Sequence, residues 1–286
     1  MRYFILSLFL LLSLCIQSQN PIAYRIYKNG GQETDFHELM REAGSCDVVF
    51  FGELHNNAVA HWLQLKLTKA LFELKDSNLV LAAEMFESDN QLIINEYLQE
   101  LISQKRFEKE ARLWDNYKTD YKPILEFSKT HGLKLIASNI PRRYASIVAK
   151  GGFEKLEKLS SSAKEFIAPL PIEFDDELPG YQKMLSMGSM GHKIENMNMP
   201  KAQAVKDATM AYFINKNYRS GNLVLHLNGR YHSDNYEGIV WYLNKYNEAL
   251  KVLTITTIEQ DGDDLKNESG VADYTIVVDK DFTKTY

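Results

Sequence analysis

The sequence predicts an α/β fold: a mostly parallel sheet with helices on both faces, plus a small helical subdomain. Three observations predict it. Six short apolar runs recur along the chain, several of them rich in Val, Ile and Leu on consecutive positions, as in strands covered on both faces. Helical patterns lie between them, the alternation that feeds a parallel sheet through crossover connections. One polar stretch, about residues 153–199, holds no strand-like run and is punctuated by Pro169, Pro171 and Pro179, with Pro200 just beyond it.

In chain order, MRYFILSLFLLLSLCIQSQN opens the sequence with one basic residue, Arg2, then an apolar run, then polar Gln and Ser. This is the layout of a secretory signal peptide and is short for a membrane span. Residues 1–19 are therefore expected to be removed, leaving 20–286 as an exported domain, periplasmic or associated with the outer membrane. A lipid anchor at Cys15 ranks second, because such sites want a small residue before the cysteine and Leu14 stands there. Without the leader Cys46 is the one cysteine remaining, which excludes a disulfide framework or a Cys-rich metal site within one chain.

The predicted strands are Val48–Phe51, Leu79–Ala83, Leu133–Ala137, Leu223–Leu227, Val252–Ile258 and Tyr274–Val278. Between them, Ala60–Leu74 carries Leu63, Leu67, Leu71 and Leu74 on one face, and Gln91–Gln104 carries Ile94, Tyr97, Leu98 and Leu101. Ser88, three residues before Gln91, reads as a capping box. Tyr121–His131 stops at Gly132, and Lys201–Asn217 stops before Gly221. The stretch at about 153–199 is expected as a helical insertion covering part of the sheet's edge. The composition is that of an ordinary globular protein, 45% hydrophobic and 25% charged, with formal net charge −5 and no basic stripe. Nucleic acid is therefore not an expected partner.

Ligands of open parallel sheets bind outside the carboxyl ends of the strands. Four predicted strand exits carry polar chemistry: Gly52-Glu53-Leu54-His55, Glu84-Met85-Phe86-Glu87, Ser138-Asn139-Ile140-Pro141-Arg142-Arg143 and Asn228-Gly229-Arg230-Tyr231-His232. Each alone reads as well as a solvated loop. Together they predict one polar cleft. Glu53, His55, Glu84 and His232 suit a divalent metal with an activated water. They equally suit metal-free general-base chemistry at His55 or His232. With arginines and tyrosines they also suit capture of an anionic aromatic ligand. Composition does not choose among these, and whether the protein is an enzyme stays open.

The ordered set GELHNN, EMFES, SNIPRR, AQAVKDATMA (202–211) and LNGRYH resembles the ChaN-like haem-binding proteins of the Tiki superfamily, over about Val48 to Leu243. The GExH element alone is shared with erythromycin-esterase-like hydrolases. The resemblance implies ferric haem as ligand, a role in bacterial iron and haem acquisition, tyrosine as axial ligand, a homodimer holding haem between subunits, and an outer-membrane haem receptor as partner. A phenolate suits carriage of ferric iron. Tyr181 and His192, in the methionine-rich insertion with Met184, Met187, Met190, Met197 and Met199, are the expected haem-clasping pair. Arg142 and Tyr144 are further expected contacts, with Tyr231 another candidate phenol. The alternative reading is a metal-dependent hydrolase of an ester or peptide, using Glu53, His55, Glu84 and His232.

Overall fold

A computed structural model describes residues 22–187, 197–261 and 270–286. Its centre is one eight-stranded sheet in the order β2-β1-β8-β7-β3-β6-β4-β5. The strands are β1 (Tyr24–Lys28), β2 (Glu33–Thr34), β3 (Val48–Glu53), β4 (Leu79–Glu87), β5 (Lys134–Asn139), β6 (Leu223–Gly229), β7 (Val252–Gln260) and β8 (Tyr274–Asp279). From β8 to β5 every pairing is parallel; β1 joins β8 and β2 antiparallel. The predicted fold class is what forms. All six predicted strands are present, while β1 and β2 lie in a stretch with too little apolar pattern to announce them.

Period-two alternation explains why these strands read as unbroken apolar runs. In β3, Val49 and Phe51 enter one core and Val48 and Phe50 the other. In β4, Leu79, Leu81 and Ala83 face the first core, Val80 and Ala82 the second. Each fully buried Leu or Phe contributes on the order of 1.5–3 kcal/mol. The first core is closed by α2 (Ala58–Lys75) through Leu63, Leu67 and Leu71, and by α5 (Lys122–Thr130) through Ile124 and Leu125; α1 (Phe36–Ala43) adds Leu39. The second is closed by α6 (Arg142–Gly151), α9 (Asn198–Asn217) and α10 (Ile239–Tyr246).

Two local expectations are corrected. The predicted helix Gln91–Gln104 is two helices, α3 (Gln91–Leu98) and α4 (Gln104–Glu110), because Glu100 turns the chain with φ 61°. Ser88 does not close a capping box. Its hydroxyl donates to the Phe166 carbonyl at 2.7 Å, and Gln91 instead uses its amide to bond Leu135 O (2.9 Å) and Ala137 N (2.7 Å) on β5. Residues 153–187 contain α7 (Ser161–Lys164) and α8 (Pro179–Met187), and send Leu156, Ile167, Ala168, Ile172 and Tyr181 into the second core. Among the described residues no helix is long and apolar enough to cross a membrane.

Candidate functional site

Sheet order decides what meets. β3, β6 and β4 are neighbours and parallel, so their exits open at the same edge, with Glu53 in register with Gly229. Two glycines permit the close approach. A Cβ on Gly52 would lie 2.9 Å from Ile255 O and 3.0 Å from Arg230 Cα; one on Gly229 would lie 2.6 Å from His55 Nε2. The 229–232 turn is thereby seated directly over β3. Glu53, His55, Glu84 and His232 come together as the strand-exit argument requires.

They form two hydrogen-bonded groups. In the first, buried Glu53 accepts at Oε1 from His55 Nδ1 (2.8 Å) and the Tyr121 hydroxyl (2.7 Å), and at Oε2 from the Gln64 amide. Burial opposes its ionisation, but those donors and the neighbouring imidazoles of His55 and His61 hold its carboxyl below the usual range. His55 is raised: burial opposes its charge, and the Glu53 hydrogen bond with the Glu84 charge outweighs that. Its side chain remains 34% exposed, with Nε2 facing Gly229. Behind it, His61 lies 3.5 Å from Glu53 Oε2 and 3.3 Å from Asp120 Oδ2, and Asn116 Nδ2 donates to the His55 carbonyl at 2.8 Å.

In the second group, Glu84 accepts the Gly229 N–H at 2.7 Å and faces His232 Nε2 at 3.1 Å; Asp207 takes the Nδ1 side of the same ring. Burial alone would lower His232. The two carboxylates reverse that and push it up to about 10. Glu84 is held well below the carboxylate range, since the His232 charge outweighs burial, whereas burial leaves Asp207 raised. His232 is thus an imidazolium clamped between acids.

That clamp bears on the four-residue metal expectation. A ligating imidazole needs a free nitrogen lone pair, and both nitrogens of His232 are engaged by carboxylates. Glu53 has donors on both oxygens. Among the described residues no group of three or more His, Cys, Asp or Glu is placed to hold a metal ion.

The expected haem contacts scatter. Tyr181 is 4% exposed, and its hydroxyl donates to Asp207 Oδ2 at 3.2 Å, behind His232 rather than in front of it. His192 and Met190 lie outside the described residues. Tyr144 is buried beneath the Arg143 guanidinium, which sits 4.4 Å from its ring centroid and pairs with Asp89 at 2.6 Å. Arg142 is exposed at the first position of α6. Tyr231, 69% exposed, carries an exposed phenol on the turn that follows β6, with the Arg230 guanidinium 5.8 Å and Lys183 Nζ 6.0 Å from its ring.

The supporting residues Tyr121, Gln64, His61, Asn116 and Asp120 were not anticipated. One signal for them was readable: His61, Gln64 and Thr68 recur at helical spacing beside the leucine stripe of α2, and all three are buried. Asp207 was visible only as part of a motif.

The class defined so far is an α/β protein with a polar cleft at the carboxyl edge of a parallel sheet. A family model described as "Haem-binding uptake, Tiki superfamily, ChaN" matches residues 39–243, and the chain belongs to that family. Among solved structures, ChaN of Campylobacter jejuni, whose structure is described as cofacial haem binding, is similar at TM-score 0.67 and 18% identity, covering 91% of this chain and 98% of that one. An erythromycin esterase in its open conformation is similar at TM-score 0.48 and 13% identity, covering 89% and 83%. The type III effector HopBA1 is similar at 0.47 and 12%, covering 84% and 91%. Comparison with curated proteins found no match.

Proposed function

We propose that this protein binds ferric haem at the strand-exit cleft, with Tyr231 as the axial ligand. The observation that carries this is the exposed phenol of Tyr231 on a turn held rigidly from below, in a chain of the haem-binding uptake family. A phenolate oxygen is a hard anionic donor matched to ferric iron. When bound, the haem supplies the iron; the protein supplies Tyr231 and the neighbouring cation of Lys183 for its carboxylates, Arg230 being paired with Asp234 at 2.7 Å. The Glu84–Gly229 bond and the Gly52 contact fix the turn, which lowers the ordering cost of binding.

A role in bacterial iron and haem acquisition is part of the reading, supported by the family's uptake description. Export is supported by Arg2 and the apolar run after it. A homodimer sharing haem and an outer-membrane haem receptor follow from the resemblance. The test is a titration of purified full-length protein with ferric haem followed by absorbance. A saturable Soret change with a tyrosinate-to-iron band is expected; a folded protein that leaves the haem spectrum unchanged would overturn the reading.

One geometric feature favours a second activity, hydrolysis of an ester or peptide. His55 Nδ1 is held by Glu53, while the ring is 34% exposed with Nε2 beside Gly229, the arrangement of an oriented general base. A panel of ester and peptide substrates should then show turnover that His55→Ala removes by about 100-fold or more. Turnover equal in His55→Ala would exclude that role.

A further inference from the structure

Beside His55 stands a set of rings that the two roles above leave unused. Trp114 is half-buried and meets the His55 imidazole edge to face, with centroids 5.0 Å apart. It is backed by Tyr121 at 5.9 Å. The backbone under His55 is held by Asn116 Nδ2 and by His61 Nε2, at 2.8 Å and 3.0 Å from the His55 carbonyl. Residues 284–286, outside the 39–243 family match, run along the same exit. Lys284 bridges to Asn57, the Thr285 N–H donates to Asn56 O at 3.1 Å, and its hydroxyl donates to buried Asp120 at 2.7 Å. This strap ends in Tyr286, 63% exposed, one residue past the Thr285 contacts with Asn56 and Asp120.

His55 and Trp114 therefore meet at the β3 exit, anchored from behind, and the tethered strap ends in Tyr286 at the same exit. Gly229, against His55, begins the turn that carries Tyr231, so this corner and the phenol occupy adjoining strand exits. We propose that His55, Trp114 and Tyr286 form an aromatic corner that recognises the flat conjugated ring of a porphyrin, independently of its iron. Pre-ordered rings offer large contact area with little conformational entropy to lose, and stacking against them is insensitive to a metal. The proposal takes its ligand class from the haem reading, but divides the work: Tyr231 engages the iron, the corner engages the ring.

Metal-free protoporphyrin separates the two. Titrated into the full-length protein and followed by tryptophan fluorescence and porphyrin absorbance, it is expected to bind saturably. Trp114→Ala and Tyr286→Ala should each weaken it by about fivefold or more, while Trp62→Phe, on the outer face of α2, stays within about twofold of the unsubstituted protein. Tyr286 is exposed, so its variant tests the corner even where Trp114→Ala fails to fold. Protoporphyrin binding unchanged in Tyr286→Ala and in folded Trp114→Ala overturns the proposal. Ferric haem binding without protoporphyrin binding overturns it too, and leaves the haem reading standing. Binding of neither removes both.

Discussion

Tyr231→Phe is expected to abolish the tyrosinate band of the haem complex and to weaken ferric haem by at least about tenfold, roughly 1.4 kcal/mol. The substitution removes one oxygen from a side chain that is 69% exposed, so the fold should be unaffected and the thermal midpoint unchanged within error. Tyr181→Phe makes the contrast. Its hydroxyl is buried against Asp207, so its loss should cost about 1 kcal/mol of stability and leave the haem spectrum as it was. If the spectral loss follows Tyr181 and not Tyr231, the axial ligand has been assigned to the wrong phenol, and the insertion must rearrange on binding.

Glu84→Gln should cost about 3–5 kcal/mol of stability, the effect of removing one partner from a buried ion pair. His232 would keep its charge beside Asp207 but lose the carboxylate at Nε2, and the Gly229 N–H would meet a weaker acceptor. The pH dependence has a definite sign. His232 is raised from 6.5 to about 10, so its contribution is complete below pH 6.5 and is lost as pH rises through about 10. Glu84 is depressed from 4.5, so its contribution is present above pH 4.5 and is lost as pH falls through its lower folded value. Urea unfolding across pH should therefore show greatest stability from this pair between about 4.5 and 6.5, with a decline toward pH 10 that His232→Gln flattens. An unaltered pH profile in His232→Gln would mean that the imidazolium is not clamped as described.

Much of this was legible in the residues. Val48–Phe51, Leu79–Ala83 and Leu223–Leu227 announce buried parallel strands because both faces of each carry apolar side chains into separate cores. Parallel strands place their exits at one edge, so Glu53, His55, Glu84 and His232 could be expected at the same edge of the sheet, and the order β3-β6-β4 then brings them together. The phenol proposed as ligand was less legible. Tyr181 and Tyr231 differ little as letters in a sequence; one is packed under Asp207 and the other is exposed on the turn that follows β6, a difference of burial that no local pattern encodes.

The amino-acid order by itself determined the class of fold and the edge at which the cleft opens, because strand periodicity and parallel connection are properties of short segments; that Glu53, His55, Glu84 and His232 meet there was decided by the order β3-β6-β4 in the sheet. Only the tertiary structure decided which of those residues remain available. It engaged both nitrogens of His232 with acids and filled both oxygens of Glu53. It also laid residues 284–286 across the exit of β3. The physical reason is that a hydrogen-bond partner is chosen by distance in space, across separations such as the 165 residues between Asp120 and Thr285. Hydrophobic periodicity extends over only a few turns of chain.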